Sequence, residues 1–157
     1  MALGFTPVED DLYREIILDH YRSPRHKHAV SPADAHVEAS NPLCGDEIDL
    51  SLRLAGDSIE AIGFQGRGCS ISQASASMLC EAVSGMAANS ATELAQHFRG
   101  MLMGEDGDHD DLGDLEALRG VRTYPVRVKC ATLAWNALLE GIRIATDGAN
   151  EKEPAHV

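Results

Sequence analysis

The chain has 157 residues, a length that holds one compact domain with its own core. Its 25 acidic against 13 basic residues leave a formal charge of -12, which argues against nucleic acid and anionic membrane surfaces as partners. Aromatics make up only 4%, so the core must be built from Leu, Ile, Val, Ala and Met, and no apolar run approaches the roughly 20 residues of a membrane span.

The opening MALGFTPVEDD has neither a basic region nor a long apolar stretch, so no secretory signal is expected. In DDLYREIILDHYR, Leu12, Ile16 and Ile17 recur at helical spacing, with Asp10 as the expected N-cap and Pro24 as the stop. A loop rich in Pro, Ser and His runs to about residue 34, and AHVEAS follows as a short edge strand. EIDLSLRL alternates: Ile48, Leu50, Leu52 and Leu54 fall on one face, Asp49, Ser51 and Arg53 on the other. A turn at 55–57 returns the chain as SIEAIGFQG, giving an antiparallel hairpin with one wet face. The outer ends of that hairpin lead to Cys44 and Cys69, so pairing brings both cysteines to one end.

SISQASASMLCEAVSGM is rich in small residues and predicts a closely packed helix that Gly85 ends. Ser90 with Glu93 has the pattern of a capping box, followed by Leu94, Phe98, Met101 and Leu102 on one stripe. GEDGDHDDLGDLEAL carries seven acids between Glu105 and Glu116 and predicts an exposed loop running into a short helix at LGDLEALRG. PVRVKCATLAWNALLEGIRIA is the last long helix, with Pro125 in its first turn. The whole chain, 1–157, is expected to form one domain, ordered from about 9 to 147, with a flexible tail at 148–157.

Four cysteines without an export signal point to free thiols in a reducing, cytoplasmic setting, where metal binding or catalysis explains them better than two disulfides. Cys44, Cys69 and Cys130, with Asp46 two residues after the first, offer three sulfurs and one oxygen, a set that suits tetrahedral Zn²⁺. Gly45 and Gly68 adjoin two of these cysteines and allow tight turns around an ion. Cys69 falls at a helix start, where the dipole favours a thiolate. Taken singly, each cysteine is also a normal small core residue and Asp46 a normal turn residue, so the residues alone leave zinc and plain packing both open. For Cys80, inside an amphipathic stretch, core packing is the reading.

Zinc with three thiolates and a carboxylate would leave the site with a charge of about -2. Arg127 and Lys129, beside Cys130, are the cations placed to compensate it, or are solvated helix residues. A fully ligated ion has no open position, so chemistry at it requires one ligand to leave, and Cys44, on a loop, is the one that disturbs least. His20, His26 and His28 could form a metal clip but are read as solvated groups; His36, His97, His109 and His156 have no partner that sequence identifies.

The segments LYREIILDHYRSPRH, NPLCGDEI, GRGCSISQASASM, LGDLEALRGV and YPVRVKCATLAW together resemble the zinc-containing SufU branch of the IscU-like iron–sulfur assembly family. The resemblance covers about Leu12 to Ala145. It implies an α+β fold of the IscU-like kind, a small antiparallel sheet packed against helices, with one Zn²⁺ at an exposed end held by Cys44, Asp46, Cys69 and Cys130. It also implies a sulfurtransferase that takes persulfide sulfur onto Cys44 from a PLP-dependent cysteine desulfurase of the SufS type. A histidine of that partner would replace Cys44 on the metal, and the sulfur would pass on to a downstream Fe–S scaffold. The scaffold branch itself, which builds a transient Fe–S cluster, is the alternative. That branch has a His where this chain has Lys129, and lacks the GEDGDHDDLGDLEAL stretch. A zinc-stabilised interaction module without sulfur chemistry is the alternative of another class. A monomer is expected.

Overall fold

The structure is a computed structural model, and it describes residues 7–104 and 110–151. The elements in order are α1 (Pro7–Arg22), β1 (Ala35–Asn41), β2 (Asp46–Ala55), β3 (Ser58–Arg67), α2 (Ser70–Val83), α3 (Ala88–Leu102), a 3₁₀ segment (Asp110–Thr123) and α4 (Pro125–Glu151). The three strands form an antiparallel meander in the order β1-β2-β3. Helices cover one face of this sheet, so the fold is α+β, as the family resemblance implies.

The alternation in β2 decides which face is covered. Ile48, Leu50 and Leu52 are buried beneath the helices, joined from β3 by Ile59, Ile62 and Phe64. α4 lies across β1 and β2, α2 packs on β3 and α4, and α1 packs on α2. Trp135 of α4 is wholly buried and stacks on Phe98 of α3, with ring centroids 4.7 Å apart. The indole N–H donates to Ser75 Oγ at 3.0 Å, and that hydroxyl donates to the Ala131 carbonyl at 2.7 Å. One serine thereby satisfies both the buried indole and a carbonyl of α4, which is why a polar residue is tolerated in this core.

The outer face is drier than alternation implies. Ser51, on the expected wet face, is buried, because the segment after α1 crosses there. Ser51 Oγ accepts the Val30 N–H at 2.9 Å, and the Phe64 N–H donates to the His26 carbonyl at 2.9 Å. Gly63 makes this crossing possible, since a Cβ there would lie 2.2 Å from the His28 carbonyl oxygen. The same segment covers the free edge of β3, which would otherwise offer unpaired backbone groups.

Several helix limits differ from expectation. α1 begins at Pro7, upstream of Asp10, in keeping with proline's fitness for a first turn. α3 begins at Ala88 with Ala87 as N-cap and no side-chain cap bond, so Ser90 and Glu93 lie within the helix and form no capping box. There the Ala88 N–H donates instead to the Asp57 carbonyl at 2.7 Å, and the chain end of the hairpin does the work of a cap. The short helix at LGDLEALRG is a 3₁₀ segment interrupted at Gly113, whose φ is 55°. α4 continues through Glu151, into the expected tail; residues 152–157 and the acidic positions 105–109 lie outside the described residues.

Candidate metal centre

The β2–β3 register, Glu47 opposite Arg67, sets the two hairpin ends side by side. Asp46 is the first residue of β2, and Cys69 caps α2 two residues beyond β3. Cys44 sits in the turn between β1 and β2, whose N–H groups fold back: Cys44 N–H donates to the Asn41 carbonyl at 3.1 Å. Cys130 comes from the second turn of α4, which lies over the same end of the sheet.

Sγ of Cys44, a carboxylate oxygen of Asp46 and Sγ of Cys130 lie within 4.8 Å of one another. The two sulfurs are 3.2 Å apart, and Sγ of Cys69 is 4.0 Å from Asp46 Oδ2. All four cysteines are free thiols. Ligands around a tetrahedral zinc, at about 2.3 Å from sulfur, stand roughly 3.5–3.8 Å from one another, so these separations need little adjustment to enclose an ion.

The surroundings hold the donors in place. Asp46 is 1% exposed, and its Oδ1 accepts the Cys69 N–H at 2.9 Å, locking the carboxylate to the start of α2. Cys69 Sγ accepts the Ser72 N–H at 3.5 Å, an N-cap bond made by sulfur in place of oxygen. Gly68 has φ of 152°, and a Cβ there would fall 2.4 Å from Asp46 Oδ1. Glycine at 68 is therefore a steric condition for bringing Asp46 against Cys69. Burial pushes the Cys130 thiol well above its ordinary range, and hydrogen bonds with Asp46, Cys44 and Cys69 add to this. Three sulfurs and a carboxylate gathered at one end of the sheet are the donor set that a borderline-soft divalent ion takes. The donor set thus fits zinc.

Asn41 was not singled out from the sequence. It is buried, its Nδ2 donates to Cys130 Sγ at 3.9 Å, and its Oδ1 accepts the Leu43 N–H at 3.3 Å. The Asn-Pro pair opening NPLC is a turn signal that could have drawn attention to it. Ser72 was likewise missed, because its contribution is a backbone N–H.

Arg127 and Lys129 are exposed on the first turns of α4 and, among the described residues, make no side-chain ion pair with the cluster. Cys80 is wholly buried in α2, and burial pushes its thiol well up, consistent with core packing. His20, His26 and His28 form no clip. His20 is 3% exposed and bonded to Ser77 Oγ at 2.8 Å, whereas His26 Nδ1 meets the Ile62 carbonyl at 3.1 Å. His36 has a partner after all, Asp49 across the β1–β2 pair, with Glu38 alongside on the exposed face.

Comparison with known proteins agrees with this architecture. The chain is 45% identical over 141 residues to the zinc-dependent sulfurtransferase SufU of Bacillus subtilis (strain 168), covering 89% of this chain and 95% of that protein. It is 43% identical over 133 residues to the iron–sulfur cluster assembly scaffold protein IscU of Streptococcus pyogenes serotype M1, covering 84% and 83%. A solved NifU-like N-terminal structure from Brucella abortus superposes with a TM-score of 0.80 at 22% identity, covering 88% of this chain and 96% of that one, and so attests the fold. Residues 12–142 match the model of the NifU-like N-terminal domain, and the chain belongs to that family.

Proposed function

We propose that this chain is a zinc-dependent sulfurtransferase, which accepts persulfide sulfur on Cys44 from a cysteine desulfurase of the SufS type and passes it toward iron–sulfur cluster assembly. The observation that carries the reading is the cluster itself: Cys44, Asp46 and Cys130 within 4.8 Å of one another, with Cys69 4.0 Å from Asp46. The similarity to a protein named for zinc-dependent sulfur transfer supports it. Bound zinc, held by Cys44, Asp46, Cys69 and Cys130, would keep the thiols deprotonated near neutral pH.

The chain's own residues divide the work. Asp46 opens a strand, Cys69 caps α2 and Cys130 lies within α4, whereas Cys44 lies on a turn beside Leu43, which is 73% exposed. Cys44 is therefore the thiolate that can swing toward a partner without unwinding a helix. Its Sγ attacks the terminal sulfur of the donor's persulfide. A new S–S bond forms at Cys44, the donor's S–S bond breaks, and the donor cysteine leaves as a thiolate. Arg127 and Lys129, exposed beside Cys130, are the proposed cations for steering the anionic persulfide. No helix among the described residues is long and apolar enough to cross a membrane, and we place the protein in the cytoplasm, as one domain acting as a monomer.

Metal analysis combined with mass spectrometry tests this. The expected result is one zinc per chain and, after incubation with desulfurase and cysteine, a persulfide on Cys44 that Cys44→Ser abolishes and Cys80→Ser leaves intact. A persulfide confined to Cys80, or undiminished transfer in Cys44→Ser, overturns the mechanism. The similarity to a protein named as a scaffold favours one second reading, transient assembly of an Fe–S cluster on the same thiols. A visible charge-transfer chromophore after anaerobic reconstitution with iron and sulfide, together with no stable persulfide, would favour it.

A further inference from the structure

Four arginines on this acidic surface stand against a carboxylate. Arg25 meets Asp19 at 2.7 Å, Arg53 meets Glu60 at 3.3 Å, Arg67 meets Glu47 at 3.3 Å, and Arg143 meets Asp147 at 3.1 Å. Arg99, Arg122 and Lys129 differ. Among the described residues none of them has a side-chain hydrogen bond or ion pair, and all three line one groove of about 770 Å³ between α3, the end of the 3₁₀ segment and α4. In a chain of net charge -12, three cations around one concavity, none of them paired among the described residues, are a local concentration of positive charge.

The groove is also apolar. Leu102, Met103 and Val128 line it, and Met103 is 72% exposed. Tyr124 and Val126, at 60% and 50% exposed, flank it at the entry to α4. An exposed Met103 beside half-buried Val128, with Arg99, Arg122 and Lys129 around them and unpaired among the described residues, forms the pattern of an interface: an apolar anchor surrounded by charges that set register and partner.

Its position says which partner. Pro125, Val128, Lys129 and Thr132 line the groove, spaced three and four residues apart on one face of α4. Cys130 leaves the same two turns on the adjoining face, and its Sγ reaches back to the Val126 carbonyl at 3.6 Å. A protein seated in the groove is thereby held beside the cluster that carries Cys44. Resting on the function proposed above, we infer that this groove docks the sulfur donor protein, through a segment that presents an apolar side chain flanked by carboxylates.

The test uses the full zinc-loaded chain and cysteine desulfurase, with affinity measured by calorimetry at low and moderate salt. Arg99→Glu combined with Arg122→Glu should weaken binding at least about tenfold and flatten its salt dependence. Arg99→Gln with Arg122→Gln should weaken it less. Arg143→Glu, at a paired cation away from the groove, should leave it unchanged, and zinc content should equal the wild type in every variant. Undiminished affinity in the Glu variant overturns the groove while leaving the sulfurtransferase reading standing. A wild-type chain that neither binds the desulfurase nor takes its sulfur removes both. A wild-type dimer that the Glu variant converts to monomer would show that a second copy covers the groove, and overturns the assignment as well.

Discussion

The two ends of the β2–β3 hairpin are closed in different ways. At the turn end the chain needs only its backbone: the Ile59 N–H donates to the Met86 carbonyl, the Gly85 N–H to the Ile59 carbonyl and the Ala88 N–H to the Asp57 carbonyl, at 2.7–2.9 Å. At the open end, side chains close the structure: Asp46 holds the Cys69 N–H, and the Cys44 and Cys130 sulfurs meet at 3.2 Å. The first end is complete as folded. The second concentrates a buried carboxyl and thiols that repel one another once ionised, so its stability is tied to whatever cation balances them. One sheet thus has an end set by main-chain pairing and an end set by ligand chemistry.

On the zinc-bound reading proposed above, removing the metal is the largest perturbation that separates the two. Chelation should lower the melting temperature by about 10 °C or more, since structural zinc contributes several kcal/mol and each is worth roughly 2–4 °C in a chain of this size. Hydrogen exchange should rise at residues 42–46 and 68–72 while residues 57–62 stay protected. Uniform loss of protection would erase the distinction.

Glycine substitutions sharpen it. Gly68→Ala should cost about 2–4 kcal/mol and lower zinc occupancy, because the new Cβ meets Asp46. Gly56→Ala, at φ 62° in the hairpin turn with nothing within 4 Å, should cost only about 1–2 kcal/mol and leave zinc intact. Denaturant melts with metal analysis check both; equal costs would mean that strain, and not the cluster, governs position 68.

Asn41→Ala should cost about 1 kcal/mol for the lost turn bond. It should also weaken zinc binding by about tenfold through the lost contact to Cys130, as read by competition with a chromophoric chelator. Unchanged zinc affinity would reduce Asn41 to a turn former.

The smallest effect belongs to neither end. Burial holds the His20 imidazole below the ordinary histidine range, with Arg25 adding to the shift while Glu81, Asp19 and Asp114 oppose it. The unfolded chain therefore binds more protons than the folded one as pH falls below about 6.5, and the stability that neutral His20 contributes above that pH is lost on acidification. His20→Gln should flatten the slope of melting temperature between pH 7 and 5. An unchanged slope would assign it to other groups.

What the sequence disclosed follows the same division. Alternation in EIDLSLRL and a short turn carry the hairpin, and the hairpin carries Cys44 toward Cys69. Those are local patterns with a fixed period. The burial of Ser51 was hidden because it depends on a distant segment, His26–Val30, crossing the sheet. The missing cap at Ser90 was hidden because the hairpin turn supplies a carbonyl that no pattern in the helix can announce. Asn41 escaped notice because its contact with Cys130 spans 89 positions. The motifs pointed to the residues that gather at the open end; the company they keep is a tertiary matter.

The chain has a single tryptophan. Its indole is stacked on Phe98 and tied through Ser75 to the carbonyl of Ala131, the residue after Cys130. That makes it a built-in optical reporter. Excited near 295 nm, it should emit at short wavelength while the α4 turn is held, and shift to the red as that turn loosens. Metal release and partner engagement could then be followed in real time, with no label added.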